Sequence, residues 1–335
     1  MGSDNCSIID FKQAVFPAAY LLIFILGIVG HSISLFILFG VWRKKKSLTT
    51  VNLFMVNLLV SDLMLICSLP LRASYFLSGS NWQFGKLACS LLFYVFYLNM
   101  YTSIFFLMSL VIMRYLALAH PYRFMSLQKC CNRWTVCIFI WLLTASMCSP
   151  LLAIRSGDNE ATSKCLELPS NTSSIDHFIR INYATLPFFV APLTVILLCS
   201  VLIAHRLLRP GLSQHTISTS RKKAFALIII SLAFFLICFL PYHVGRVVFL
   251  HAESYVSNGT GPESCGYIRA VRKSAVVTLC LCTAHSCLDP ILFFFVGENF
   301  RTCLTKLLWR KKADDSIRCQ EEAELRNQEK IERDT

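Results

Sequence analysis

Long apolar segments recur along the chain and alternate with shorter segments that contain charged residues, Pro or Gly. They cover residues 16–40, 51–71, 87–118, 134–154, 183–205, 224–250 and 275–296. A helix needs about 20 mostly apolar residues to cross the hydrocarbon core of a bilayer, and each segment is long enough. The pattern therefore predicts an all-α membrane protein, a bundle of seven transmembrane helices with its two termini on opposite sides.

The segments between and beyond these spans predict the domain organisation. Residues 1–15 are expected to form an amino-terminal segment outside the cell, and residues 16–296 the bundle. Residues 297–309 place apolar and basic side chains on opposite helix faces, which predicts a short amphipathic eighth helix on the inner leaflet. Residues 310–335 are charged and poor in apolar side chains, which predicts a disordered cytoplasmic tail.

Composition and charge agree with a membrane protein. The chain is 55% hydrophobic and only 15% charged, with a mean hydropathy of +0.58, which is too apolar for a soluble protein of this size. Its formal net charge is +13, and the basic residues cluster in alternate connections. Short basic loops stay in the cytoplasm, so the amino terminus is expected outside. Anchoring to membrane lipids of the inner leaflet accounts for this charge, and we expect no nucleic-acid ligand.

Glycosylation sequons agree with this orientation. Asn5, Asn171 and Asn258 each begin an Asn-x-Ser/Thr motif, and all three fall on predicted outer segments. They are candidate glycosylation sites of a multi-pass protein in the plasma membrane, with its amino terminus extracellular.

Four of the sixteen cysteines lie on predicted outer segments: Cys6, Cys89, Cys165 and Cys265. The outer compartment is oxidising, so two disulfides are expected, although four cysteines allow three pairings. The chain has no metal-binding spacing, Gly-rich phosphate loop or Gly-x-Ser-x-Gly motif, so we do not expect an enzyme.

Polar motifs inside the spans carry a family resemblance, since polar groups at membrane depth are costly and usually functional. They are Leu58-Leu-Val-Ser-Asp62, Trp82-Gln-Phe-Gly85, Met113-Arg-Tyr115, Phe235-x-x-Cys-x-x-Pro241 and Asp289-Pro-x-x-Phe293. Over residues 20–309 the chain resembles the rhodopsin-like (class A) G protein-coupled receptors.

Within that family the chain is most similar to the cysteinyl leukotriene receptors, with the type-2 branch closest. The similarity rests on Leu69-Pro-Leu-Arg72, Tyr97-x-Asn-Met-Tyr101, Cys165-Leu-Glu-Leu168, Cys238-Phe-Leu-Pro-Tyr-His243 and Gly297-Glu-Asn-Phe300. Of the three disulfide pairings, we favour Cys89 with Cys165 and Cys6 with Cys265. The first would tie the second outer loop to the third helix, and the second would tie the amino terminus to the last outer loop.

The resemblance implies a ligand that is a cysteinyl leukotriene-type lipid mediator. Arg72 lies ten residues after Asp62, about 15 Å further outward along a helix, and Arg246 shares a helix face with Tyr242. Arginine binds carboxylates bidentately, and Tyr97 and Tyr242 would add hydroxyl donors. The alternative is that both arginines extend to the outer headgroups. Arg272 and Lys273 are expected to be solvated charges at the rim.

The resemblance also implies a sodium-binding cluster formed by Asp62, Asn99, Ser103, Ser286 and Asp289. Oxygen ligands of this kind suit a hard cation. The alternative is a hydrogen-bonded network without an ion. We expect no other cofactor.

At the inner end, the resemblance implies a heterotrimeric G protein, of the calcium-mobilising Gq type, that contacts Arg114 and Tyr115, with arrestin as a further partner. The residues leave open a related receptor for nucleotides or other small carboxylate or lipid ligands, and a decoy receptor impaired in signalling. A transporter or channel is the alternative of another class, but internal repeats are not evident.

Four positions depart from the family pattern. Met113 replaces an acidic residue that restrains the following arginine, and Ser200 and Phe293 replace tyrosines that help to hold the active state. These changes have opposite signs for basal activity, which the sequence leaves open. His31 replaces an asparagine, and with His285 it suggests a pH-sensitive network.

Overall fold

A computed structural model describes residues 6–45, 49–120, 122, 124–125, 133–157, 165–167, 172–208, 218–258 and 265–296. The helices are α1 (Ile9–Lys45), α2 (Thr50–Leu77), α3 (Gly85–Ala119), α4 (Arg133–Gly157), α5 (Thr172–Thr185), α6 (Pro187–Leu208), α7 (Ser218–Phe234), α8 (Leu240–Ser257) and α9 (Cys265–Val296). A π-helical turn, Phe235–Phe239, joins α7 to α8.

These helices form seven spans that are long and apolar enough to cross a membrane, which confirms the predicted fold class. The fifth span consists of α5 and α6, and the sixth of α7, the π-helical turn and α8. Large apolar side chains are exposed on the outside of the bundle, among them Leu22, Phe36, Phe139, Leu142 and Val201. Such a surface is compatible with lipid, where helices satisfy their own backbone polar groups.

Several spans extend further than the apolar pattern predicts, and the fifth begins at Thr172 and not at residue 183. The seventh span begins at Cys265 and not at residue 275, and α1 begins at Ile9, so the expected boundary between residues 15 and 16 falls inside a helix. Hydropathy reports only the length that matches the hydrocarbon, whereas a helix continues for as long as packing supports it. Residues 297–309 and 310–335, predicted as an eighth helix and a tail, lie outside the described residues.

The third helix occupies the centre of the bundle. It packs against α2, α4, α6 and α7, while α9 packs against α1, α2 and α8. The contact between α1 and α9 is close at Gly30, where a Cβ atom would lie 2.8 Å from Cγ of Pro290. This close approach brings the next residue, His31, beside the backbone of α9.

The π-helical turn lies immediately before Pro241. Proline has no backbone N–H and its ring crowds the carbonyl four residues earlier, so a regular helix cannot continue through it unchanged. The widened turn keeps Phe235 and Phe239 fully buried. The Phe239 ring lies 4.8 Å from that of His285 on α9.

Both favoured disulfides are present. Cys89 in the first turn of α3 is bonded to Cys165, and Cys6 is bonded to Cys265, the first residue of α9. Alternate spans run in the same direction, so the amino-terminal ends of α1, α3 and α9 lie at one end of the bundle. We call this the disulfide end.

Candidate functional site

A pair of tyrosines joins α3 to α8 in the half of the bundle nearer the disulfide end. The Tyr242 hydroxyl donates to the Tyr97 hydroxyl over 3.1 Å. The Phe96 ring contacts both tyrosine rings edge-on, at 5.2 and 5.8 Å. Pro241 places Tyr242 in the first turn of α8, directly after the widened turn.

The guanidinium of Arg72 lies inside the bundle and not at the lipid headgroups. The side chain is buried and donates to the backbone carbonyl of Leu92 on α3. Its Cζ atom lies 5.5 Å from the centre of the Phe96 ring, and its charge is close to the hydroxyls of Tyr20, Tyr97 and Tyr242. Among the described residues, Nε of Arg72 has no acceptor.

The second cation approaches the same tyrosines from α8. Arg246 lies one turn after Tyr242, and its charge is close to the hydroxyls of Tyr97, Tyr101 and Tyr242. Its Cζ atom lies 5.8 Å from the centre of the Phe249 ring. The structure thus brings all four predicted ligand-binding side chains together.

A cleft opens beside the tyrosine pair, between α3, α4, α5 and α8. The side chains along its wall are Tyr97, Tyr101, Met147, Cys148, Leu151, Phe178, Ile181, Asn182, Thr185, Tyr242, His243 and Arg246. Hydroxyls and a guanidinium lie on the side of α3 and α8, whereas α4 supplies apolar side chains. Arg72 is not among the side chains along this wall, although its charge is close to the hydroxyls of Tyr97 and Tyr242. The side chains of this wall are complementary to a molecule with a charged end and an apolar body.

Sequence reasoning did not include Tyr101 and His243 in this site. The His243 ring stacks on Phe189 at 3.9 Å, and its Nδ1 donates to the carbonyl of Phe239 over 2.9 Å. Tyr101 lies four residues after Tyr97, so helical spacing could have placed the two side chains on one face.

A second group of polar side chains is buried deeper, between α1, α2, α3 and α9. The Asn99 amide donates to Oδ1 of Asp62 over 2.9 Å and to the Ser61 hydroxyl over 3.1 Å. His31 donates from Nε2 to the carbonyl of Ser286 over 2.7 Å, and this nitrogen lies 3.8 Å from Oδ2 of Asp62. The expected proximity of His31 to Asp62 is therefore observed.

Two carboxylates and a histidine face one another at the centre of this group. Asp62, Asp289 and His285 each offer a ligand atom within 4.8 Å of the other two. In the part of the chain that the structure describes, the two carboxylate oxygens of Asp289 and the hydroxyl oxygen of Ser103 have no hydrogen-bond partner. The oxygens fit a cation, and the imidazole of His285 is a candidate ligand that the sodium prediction did not include. The sodium ion itself stays a prediction.

Ser286 does not point into this group as expected. Its hydroxyl donates to the carbonyl of Thr283 on its own helix over 2.9 Å. A serine in a helix often makes such a bond to the preceding turn. Ser286 therefore contributes its backbone carbonyl, which positions His31, and not its side chain.

The predicted G protein contacts lie at the opposite end of α3. Arg114 and Tyr115 are both half-buried there, and the Tyr115 ring meets that of His120 edge-on at 6.1 Å. Phe293, at a family tyrosine position, is buried with its ring edge toward His31 at 6.3 Å. The role of Arg114 and Tyr115 in coupling stays a prediction.

The expectation of a solvated charge at Arg272 is wrong. Its guanidinium forms a two-point ion pair with Glu253 on α8, at 2.6 and 2.8 Å, and also donates to the carbonyl of Cys6 over 3.0 Å. The helix of the seventh span begins at Cys265, nearly three turns before its apolar segment, and Arg272 in this extension contacts α8. Arg272 therefore ties three segments together at the disulfide end.

Of the predicted glycosylation sites, Asn258 is exposed at the carboxyl end of α8. Asn5 and Asn171 lie outside the described residues.

Comparison with known proteins agrees with this architecture. Residues 34–293 match the family model described as "7 transmembrane receptor (rhodopsin family)". Cysteinyl leukotriene receptor 2 of Homo sapiens is 38% identical over 308 residues, which are 91% of this chain and 85% of that receptor. Cysteinyl leukotriene receptor 1 of Homo sapiens is 33% identical over 310 residues, or 92% of this chain and 88% of that receptor.

The uracil nucleotide/cysteinyl leukotriene receptor of Homo sapiens is 38% identical over 303 residues, covering 90% of this chain and 78% of that receptor. The seven apolar spans, the polar side chains buried among them and these relatives all indicate the same family. The chain belongs to the rhodopsin family of seven-transmembrane receptors, within the group of leukotriene and nucleotide receptors, and is a multi-pass G protein-coupled receptor and not an enzyme.

Proposed function

We propose that this receptor responds to a cysteinyl leukotriene-type lipid mediator that binds in the cleft beside Tyr97 and Tyr242. The observation that carries the proposal is the convergence of Arg72 and Arg246 on one pair of hydroxyls, next to an apolar wall. A ligand with carboxylates and a long apolar chain is complementary to both parts.

Charge balance supports an anionic ligand. Among the residues that the structure describes, no Asp or Glu forms an ion pair with Arg72 or Arg246. A cation inside a bundle that lacks a counter-charge is costly, and a bound carboxylate would offset that cost. The Arg246 guanidinium would bind a carboxylate of the ligand in the cleft, and Arg72 would add its positive charge beside the tyrosine hydroxyls, which would donate further hydrogen bonds.

The names of the relatives favour the same ligand class. Two of them are named for cysteinyl leukotrienes, and a third is named for both uracil nucleotides and cysteinyl leukotrienes. A nucleotide would use the two arginines for its phosphates, but the apolar wall of Met147, Leu151 and Phe178 suits a hydrocarbon chain better. A uracil nucleotide is therefore the second candidate.

The receptor would lie in the plasma membrane with its amino terminus outside, since both disulfides lie at the end where the chain begins. It would pass the signal to a Gq-type heterotrimeric G protein at Arg114 and Tyr115, with arrestin as a further partner. The chain has Arg114 and Tyr115 at the positions where the family contacts a G protein, which favours a signalling receptor over a decoy.

Intracellular calcium in cells that display the receptor tests the proposal. Cysteinyl leukotrienes, uridine nucleotides and dicarboxylates are applied in parallel to the wild type, to Arg246→Ala and to Arg180→Ala. Arg180 is exposed on α5 and is the matched control. We expect a leukotriene response whose potency falls at least about tenfold in Arg246→Ala only, as for a lost charged hydrogen bond.

A response to uridine nucleotides alone would replace the proposed ligand by the second candidate. Silence toward all three classes, with the receptor detected at the cell surface, would indicate a decoy or a ligand of another class.

A further inference from the structure

We propose that His243 is a specificity-determining residue of the cleft, and that its ring nitrogen Nε2 accepts a hydrogen bond from a hydroxyl group of the ligand. The inference rests on the proposed function, since it concerns the ligand of the same cleft. It adds a second requirement to that of charge. The arginines select a carboxylate, whereas His243 would select a hydrogen-bond donor.

The protonation of the His243 ring is fixed by the backbone. Its Nδ1 lies 2.9 Å from the carbonyl oxygen of Phe239, one helical turn earlier. A carbonyl oxygen can only accept, so Nδ1 carries a proton. The ring is buried, and among the residues that the structure describes no Asp or Glu forms an ion pair with it. A second proton would leave a buried charge uncompensated, so Nε2 keeps its lone pair.

This Nε2 is an acceptor that lacks a donor. The side chain of His243 is 5% exposed, and within the described part of the chain its Nε2 has no hydrogen-bond partner. His243 also belongs to the wall of the cleft. Buried polar atoms are nearly always satisfied by protein or water. A water molecule can serve the ligand-free receptor, and a ligand that displaces this water must supply a donor of its own.

Packing holds the His243 ring in one orientation. The ring is stacked on Phe189 of α6, with ring centres 3.9 Å apart and 11° between the planes. Tyr101 of α3 meets it edge-on at 6.1 Å. A half-turn of the ring would also break its bond to Phe239. The acceptor therefore has a fixed direction, and a ligand without a donor would leave it unsatisfied.

The spacing of His243 and Arg246 indicates where the ligand carries its donor. The two residues are three apart on α8, so their side chains are neighbours on one helix face, with Cβ atoms about 5–6 Å apart. A carboxylate bound at Arg246 leaves the donor only a few bonds away along the ligand. Cysteinyl leukotrienes carry a hydroxyl group a few bonds from a carboxylate, and this is the group that we expect at Nε2.

Ligand analogues separate this role from packing. Purified wild type, His243→Phe and His177→Phe are each loaded with a radiolabelled cysteinyl leukotriene, which is displaced by the unlabelled leukotriene, by its analogue with hydrogen in place of the hydroxyl group, and by its ketone. His243→Phe keeps an aromatic ring against Phe189 and removes the acceptor. His177 is exposed on α5 and is the matched control.

We expect the wild type and His177→Phe to bind the hydroxyl ligand at least about tenfold more tightly than either analogue, because each analogue strands a buried acceptor. In His243→Phe the difference should fall below about threefold. An equal preference for the hydroxyl ligand in the wild type and His243→Phe would overturn the proposal. So would a wild type without that preference, or a His243→Phe variant that weakens all three ligands alike.

Arg246→Ala, measured with the same ligands, keeps the proposed function separate, since there all three should weaken together. If the wild type binds no leukotriene, the proposed function fails, and the comparison is repeated with a uridine nucleotide and its analogue without ribose hydroxyls. No preference in that comparison, or no binding, overturns the role of His243 as well. His243→Asn, which keeps a donor toward Phe239 but has no atom at the place of Nε2, replaces His243→Phe if that variant does not fold.

Discussion

The Tyr242 hydroxyl on α8 donates a hydrogen bond to the Tyr97 hydroxyl on α3 over 3.1 Å. This bond joins the central helix of the bundle to the helix that follows the π-helical turn. A movement of α8 relative to α3 must therefore break it. The pair is both part of the proposed ligand site and a link between two helices.

Removal of either hydroxyl is expected to have the same effect on stability. Tyr97→Phe and Tyr242→Phe each lose one partly buried hydrogen bond and should lower the free energy of unfolding by about 1 kcal/mol. The double variant should be little worse than either single variant, because the two hydroxyls form one bond. Thermal unfolding of the ligand-free receptor measures this, and additive losses would show that the bond contributes nothing.

The ion pair between Arg272 and Glu253 is expected to stabilise the disulfide end. Both side chains are mostly buried, and the contact has two short hydrogen bonds, so its loss in Glu253→Gln should cost about 1–3 kcal/mol. The exchange Glu253→Arg with Arg272→Glu should recover part of the loss, measured as the unfolding midpoint. An unchanged unfolding midpoint in Glu253→Gln would show that this pair contributes as little to stability as a typical surface ion pair.

The disulfide between Cys6 and Cys265 closes a loop of 259 residues in sequence. Cys265→Ser should lower stability by about 2–5 kcal/mol and leave the thiol of Cys6 free. A maleimide that cannot cross membranes should then label intact cells that display Cys265→Ser but not the wild type. Cys67→Ser, which removes an exposed free cysteine, is the control. The absence of labelling on intact cells that display Cys265→Ser at normal surface levels would contradict an extracellular amino terminus.

Asn258 provides an independent test of the orientation. It is exposed at the end of α8, on the side of the membrane where the last helix begins. If this side is extracellular, a glycan at Asn258 should disappear in Asn258→Gln, seen as faster migration of the receptor on a gel. Identical migration of the wild type and Asn258→Gln, before and after glycosidase treatment, would show that the sequon is not used.

Met113 is expected to raise basal signalling, because no carboxylate restrains Arg114 from the preceding position. Met113→Glu would supply that carboxylate and should reduce ligand-independent inositol phosphate production several-fold at equal surface expression. Met113→Gln, which has a similar shape but no charge, is the control. Equal basal signalling in all three proteins would contradict the expected role of the missing charge.

The sequence by itself determined the number of spans, the all-helical class and the family. The reason is that a membrane imposes a local requirement, about 20 apolar residues for each crossing, and this requirement can be read without knowing which helices touch. Sequence motifs also located Arg72, Tyr97, Tyr242 and Arg246 in the outer half of the bundle. Helical spacing could also have predicted that His285 lies beside Asp289, since the two are four residues apart on one face of α9.

Only the tertiary structure decided what these side chains face. Whether Arg72 extends to the headgroups or donates to Leu92 depends on the rotation of α2 about its axis, which packing against α3 sets. The meeting of Asp62 with His285 and Asp289, and of Arg272 with Glu253, depends likewise on how neighbouring helices cross. Hydropathy says little about rotation or crossing, because both the lipid face and the core face of these helices consist mostly of apolar side chains.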